Sequence, residues 1–142
     1  MSELVNTGIL ILAILVLVLV LFYPIYMVHV LVVEENTEWF KTLFTVYYWA
    51  IRIVGVILGL LLILASIISS EGAGIRFVAF ILGVMYLWMY WIIYPHYYDL
   101  VVNMVDNTLQ EPVPLAVVKL VFIFGLQILL SDITLRVREE TE

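Results

Sequence analysis

The sequence predicts an all-α fold, an integral membrane bundle of four helices. Hydrophobic residues make up 65% of the 142-residue chain and charged residues 13%, whereas soluble domains have about 45–50% and about 25%. A soluble core of this length cannot bury so much apolar surface, so we expect the bilayer to solvate most of it. The second observation is that the apolar residues fall into four long segments with short polar connections between them.

The four segments define one transmembrane domain, 1–142, with a predicted helix in each segment. The predicted spans are 4–33, 39–69, 75–106 and 113–135, and each exceeds the roughly 20 residues that a spanning helix needs. In lipid a spanning segment must satisfy its own backbone hydrogen bonds, which favours helices even in the first segment, rich in Ile and Val.

Two Tyr-Pro dipeptides, Tyr23-Pro24 and Tyr94-Pro95, lie 71 residues apart, which is half of the chain. A second tyrosine, a valine and an Asn-Thr pair follow each of them in the same register. The repetition predicts two tandem copies of a two-helix hairpin, with repeat halves 1–71 and 72–142.

Four spans would put both termini and the middle turn on one side of the membrane. That side carries Arg76, Arg136 and Arg138, whereas the other loops carry Lys41. The positive-inside rule then predicts a multi-pass protein of the cell membrane with cytoplasmic termini.

Small residues recur at a spacing of four on the second and third segments. Gly55 and Gly59 form a GxxxG motif, and Ala79 and Gly83 form a second pair. Such pairs allow another helix to approach closely. Since two such faces exceed what a pair of hairpins requires, they favour self-association or packing with other membrane subunits.

Arg52 lies on the same side of its helix as the two glycines, far from both helix ends. We hypothesise that it is buried and donates to three acceptors. Two of them are backbone carbonyls, of Val20 and Trp91, which Pro24 and Pro95 leave without a donor. The third is the side chain of Gln127. In the alternative, Arg52 extends to the interface or faces a neighbouring subunit.

A polar stripe follows Pro95. Its members His96, Asp99, Asn103 and Asp106 are spaced i, i+3, i+7 and i+10, which is one face of a helix. Asp99 and Lys119 both lie on the order of 10 Å below their helix ends. They are therefore a candidate ion pair between the third and fourth helices.

Aromatic residues crowd the stretch 86–94. The simpler interpretation is an interfacial belt or plain packing, and the alternative is a stacking wall for a flat ligand such as a quinone, haem or carotenoid. The two histidines, His29 and His96, could ligate haem b between two helices. A transition-metal site is less favoured, because only Asp99 offers a third ligand.

Catalytic motifs are missing from the sequence: it has no cysteine, no glycine-rich phosphate loop and no HExxH. We therefore expect a protein that is not an enzyme, with an enzyme that acts on lipid as the residual alternative. No cofactor is predicted beyond the haem alternative. The net charge of −6 argues against a nucleic-acid partner, which needs a basic face.

The first functional hypothesis is a non-catalytic accessory or structural subunit of a larger membrane assembly. The alternative is a ligand-handling bundle: a small transporter, a channel, or a protein that binds haem, quinone or lipid. An open cleft lined by His96, Asp99 and Lys119 would favour ligand handling, and closed ion pairs among them would favour the subunit.

Overall fold

The computed structural model describes residues 2–69 and 72–140. Its helices are α1 (Ser2–Val32), α2 (Thr37–Ile68), α3 (Ala73–Leu87), a π-helical segment (Trp88–Ile93), α4 (Tyr94–Val105) and α5 (Val113–Glu140). The π-helical segment joins α3 to α4 without a break, so these three form one third span, Ala73–Val105. The described part of the chain contains no strand.

The predicted all-α architecture is confirmed. Among the described residues, four helices are long and apolar enough to cross a membrane: Glu3–Val32, Thr37–Ile68, Ala73–Val105 and Val113–Arg138. Their ends agree with the predicted spans within two residues, except that α5 continues to Glu140, past the predicted end at Leu135. The predicted boundary between the repeat halves, 1–71 and 72–142, adjoins residues 70–71, which lie outside the described part.

Polar side chains and tight turns end the helices where the apolar runs stop. Asn36 caps α2, because its Oδ1 accepts a hydrogen bond from the backbone N–H of Trp39 at 3.0 Å. At the other end of α2, Arg76 Nε donates to the Ser66 carbonyl at 2.8 Å. Asn107 ends the third span with φ 58°, a left-handed conformation that asparagine tolerates well.

The helix α2 lies at the centre of the bundle and packs extensively on α1 and on the third span. By contrast, α5 packs mainly on α1 and only sparsely on α3 and α4. The third span and α5 therefore diverge, and the space between them bears on function.

The small residues of α2 and α3 face each other within the chain. A Cβ added to Gly59 would lie 2.9 Å from the Gly83 carbonyl oxygen, and one added to Gly83 would lie 2.7 Å from the Gly59 oxygen. Ala79 is buried on the same helix as Gly83, and a Cβ on Gly55 would overlap the Tyr90 ring. The two faces thus pack against each other inside one chain. They are therefore not evidence for self-association.

Candidate functional site

Arg52 lies in the middle of α2 with only 9% of its surface exposed. Its Nε donates to the Tyr90 carbonyl at 2.9 Å and its Nη2 to the Trp91 carbonyl at 3.3 Å. Its Nη1 donates to the hydroxyl of Tyr48 at 3.0 Å. The guanidinium thus joins α2 to the π-helical segment of the third span.

The two carbonyls are available because of Pro95. In the π-helical register each N–H bonds the carbonyl five residues earlier, as Tyr94 does with Met89. The next donor in this register would be Pro95, to Tyr90, but proline has no N–H. In the α-helical register the missing bond would be the one to Trp91. Pro95 therefore leaves one of these adjacent carbonyls without a backbone donor, the change from the π to the α register leaves the other, and Arg52 donates to both.

Aromatic rings surround the charge of Arg52. The guanidinium carbon lies 5.0 Å from the ring centroid of Tyr48, 5.2 Å from that of Trp49 and 4.9 Å from that of Trp91. Ring faces attract a cation most strongly where water is scarce. Carbonyl dipoles and π-faces, rather than a carboxylate, thus stabilise this charge within the span.

The prediction for Arg52 is right for one acceptor and wrong for two. The Trp91 carbonyl is an acceptor as predicted. The other carbonyl partner belongs to Tyr90 and not to Val20, because α2 presents Arg52 to the third span. Gln127 is engaged elsewhere: its Oε1 accepts from the hydroxyls of Tyr90 at 3.1 Å and Tyr94 at 3.0 Å.

The tyrosines of the aromatic run form a buried ladder. Tyr86, Tyr90 and Tyr94 are fully buried, at the i, i+4, i+8 spacing of one helix face. Tyr86 shares a hydrogen bond of 2.9 Å with Thr134, and the Tyr94 hydroxyl lies 3.2 Å from that of Tyr47. These three tyrosines therefore pack inside the bundle. Their i+4 spacing in the sequence could have indicated a buried helix face.

A cleft of about 1000 Å³ lies between the third span and α5. One part of it is apolar and the other polar. The apolar lining includes Trp88, Met89, Ile93, Leu100, Val118, Phe122, Ile123 and Leu126. The polar lining consists of His96, Tyr97, Asp99, Asn103, Thr108, Gln110, Glu111 and Lys119, and Leu109 completes the lining at this end.

The cleft brings together most of the predicted polar group, but the predicted ion pair is wrong. Lys119 Nζ donates to Glu111 Oε2 at 2.7 Å and forms no ion pair with Asp99. Glu111 lies in the short connection that leads into α5 and so is a close neighbour in the chain, whereas α4 and α5 diverge. Asp106, the last member of the stripe, leaves the group and pairs with Lys41 of α2.

The remaining polar members have different environments. Asn103 Oδ1 accepts a hydrogen bond of 3.1 Å from the Thr108 hydroxyl, which ties α4 to the loop at the mouth of the cleft. His29 lies outside the cleft, with its Nδ1 3.6 Å from Glu34 Oε2. It belongs to α1, which does not contact α4 in the described part, and no cluster of three potential metal ligands occurs among the described residues.

The apolar wall of the cleft was not predictable from the sequence. Trp88, Phe122 and Leu126 are ordinary residues for a spanning helix, and only the divergence of α5 from the third span makes them a lining. The cleft can hold an amphipathic molecule, with its polar end beside Asp99.

Comparison of the chain with protein-family models, with curated protein sequences and with solved structures gave no match.

Proposed function

We propose that this protein is a non-catalytic, multi-pass membrane protein that binds an amphipathic, lipid-like ligand in the cleft between the third span and α5. The observation that carries the proposal is the shape of the cleft, which has an apolar wall and a polar mouth in one cavity. Small-molecule sites are mostly apolar concavities with a few convergent polar groups.

The dimensions suit such a ligand. The lining runs along the third span from Trp88 to Asn103, which corresponds to roughly 22 Å at the rise of an α-helix. That distance exceeds half of a hydrocarbon core of about 30 Å, so the lining is long enough for an alkyl tail that reaches the middle of the bilayer. The volume of about 1000 Å³ is at the upper end of the range of roughly 300–1000 Å³ for small-molecule pockets.

The alternative of a closed structural cluster is less well supported. Lys119 does form an ion pair, but with Glu111 at the mouth, so His96 and Asp99 still line open space. Ionisable groups within a spanning segment are costly and usually serve a function. An open cleft lined by these groups therefore supports ligand handling over a purely structural role.

The proposal includes an orientation and an origin. With cytoplasmic termini, as the arginines predict, the polar mouth of the cleft would lie towards the opposite face of the membrane.

The tandem origin of the two hairpins belongs to the proposal as well. Its support is the repeated Tyr-Pro dipeptide, which starts the polar stripe only in the second half.

The test fills the cleft with a bulky side chain. Val118 and Val121 are both 64% exposed on α5, but Val118 lines the cleft and Val121 does not. The protein would be extracted from membranes into lipid nanodiscs, and bound small molecules would be identified by native mass spectrometry. We expect the parent chain and Val121→Trp to retain the same amphiphile, and Val118→Trp to lose it.

Other outcomes would redirect the proposal. Equal retention by both tryptophan variants, or no bound amphiphile in any sample, would contradict it. A Soret band in the absorbance spectrum that disappears in His29→Ala or in His96→Ala would replace the amphiphile with haem b.

A membrane subunit of a larger assembly is the second candidate. The observation in its favour is that the cleft is bordered by exposed apolar side chains, among them Val118 and Phe122, which a helix of another chain could cover. Stoichiometric co-purification of a second membrane protein, lost in Val118→Trp and kept in Val121→Trp, would support this candidate instead.

A further inference from the structure

We infer that the polar group of the ligand is a cation, an amine or a quaternary ammonium, and that Asp99 is the residue that selects it. The inference rests on the proposed function and adds the chemical class of the headgroup. Its basis is the balance of charges around the cleft.

Three groups of formal charge line the cleft: Asp99, Glu111 and Lys119. Lys119 and Glu111 neutralise each other at 2.7 Å, so one carboxylate remains uncompensated. The described part of the chain offers Asp99 no cation within 4 Å, since its ion pairs join other residues.

The position of Asp99 makes this charge effective. It lies seven residues before Asp106, the end of α4, which corresponds to roughly 10 Å below the helix end. Asp99 is exposed on the wall of the cleft, and beside apolar, low-dielectric walls an opposite charge is attracted more strongly than in bulk water. A cationic headgroup would supply the missing partner, whereas an anionic one would be repelled.

The residues near Asp99 support this choice of ligand. Asn103 accepts a hydrogen bond from Thr108 through its Oδ1, and Lys119 is held at Glu111. The ammonium that could recruit an anion is therefore already used. The tail of the ligand would lie along the apolar wall that begins at Trp88.

Trp88 provides the readout for a test. The purified full-length chain would be placed in nanodiscs of phosphatidylcholine. Three amphiphiles would be titrated, each with the same brominated alkyl chain and with a trimethylammonium, maltoside or sulfate head. Bromine quenches tryptophan fluorescence at short range. Quenching that disappears in Trp88→Phe therefore shows that the alkyl tail lies inside the cleft. We expect the trimethylammonium probe to bind about tenfold more tightly than the maltoside probe, and the sulfate probe to bind most weakly.

Asp99→Asn is the test variant and Asp106→Asn its matched control. Both remove one negative charge from the same helix end, but Asp106 is paired with Lys41 outside the cleft. We expect Asp99→Asn to bind the trimethylammonium and maltoside probes within about twofold of each other, and Asp106→Asn to keep the tenfold preference.

The outcomes separate the inference from the proposed function. If all three probes quench Trp88 equally, the cleft binds amphiphiles and the inference about the headgroup is wrong. If Asp106→Asn abolishes the preference as strongly as Asp99→Asn, the preference reflects overall charge, and the role of Asp99 is refuted. If no probe causes Trp88-dependent quenching, the proposed function itself fails.

Discussion

The two Tyr-Pro dipeptides occupy equivalent positions in the sequence but different structures. The helix α1 continues through Pro24 as a regular α-helix, and Tyr23 is half-buried, with its hydroxyl donating to the Leu43 carbonyl at 3.1 Å. The third span widens into a π-helical segment just before Pro95. There, Tyr94 is fully buried and hydrogen-bonded to Gln127.

The difference lies in what faces each proline. A proline in a helix leaves a carbonyl without its donor, and neighbouring groups in the protein can satisfy it. In the third span that group is Arg52, which donates to both carbonyls that Pro95 and the change of helical register leave without a backbone donor. We conclude that each proline leaves a backbone carbonyl without a donor. The side chains of the neighbouring helix then determine the local structure around that carbonyl.

The largest effect is expected from removing Arg52. Arg52→Ala leaves the Tyr90 and Trp91 carbonyls without a side-chain donor in a buried site, and we expect a loss of about 3–5 kcal/mol in the free energy of unfolding. The measurement is unfolding of the purified protein in mixed micelles with increasing sodium dodecyl sulfate. Arg76→Ala is the control, because Arg76 also donates to backbone carbonyls but is exposed. Equal losses for the two variants would contradict the role of the buried site.

The second effect concerns the close approach that lets Arg52 reach the third span. Gly55→Ala adds a methyl group where the Tyr90 ring lies, and overpacking of this kind costs about 1–3 kcal/mol. Gly125→Ala is the matched control, since a Cβ there would meet no atom within 4 Å. The same unfolding assay applies, and a Gly55→Ala protein as stable as Gly125→Ala would show that the contact is loose.

A double-mutant cycle tests the link between Pro95 and Arg52. Pro95→Ala restores an N–H that can serve the freed carbonyls, so Arg52→Ala should cost about 1 kcal/mol less in that background. The corresponding cycle with Pro24→Ala should show no coupling, because the carbonyls that Arg52 binds belong to the third span. Equal coupling in both cycles would mean that Pro95 is not the source of the free carbonyls.

The smallest effect compares the two tyrosines directly. Tyr94→Phe removes a buried hydroxyl that contacts Gln127 and Tyr47, and we expect a loss of about 1 kcal/mol, as is usual for hydrogen bonds between helices in membranes. Tyr23→Phe should cost less than about 0.5 kcal/mol, because its single bond is only half-buried. The reverse order in the unfolding assay would contradict the contrast between the two regions.

Much of the fold was predictable from the sequence because it depends on local composition. Long apolar runs must form helices in lipid, and so the four spans follow from the residues alone. The chemistry of Pro95 and Arg52 also followed in part, since a missing N–H and an intramembrane cation each require a partner. The Trp91 carbonyl was found in this way.

Side-chain partners across helices were harder to predict. The depth of a residue in the membrane can be estimated from its position along the helix, but an error of one turn shifts the estimate by 5.4 Å. That shift exceeds the donor–acceptor distance of a hydrogen bond. Rotation about the helix axis adds a second uncertainty. For these reasons the sequence predicts an ion pair between Asp99 and Lys119, whereas in the structure Lys119 pairs with Glu111.

Four apolar helices, a carbonyl left without a donor near Pro95 and the polar stripe that begins at His96 follow from the residues alone. Three further features depend on contacts between distant parts of the chain. The small-residue faces meet within one chain, the third span widens before Pro95, and α5 diverges to open a cleft. Helix formation depends on neighbours in the chain, whereas packing, register and cavities depend on where distant side chains meet.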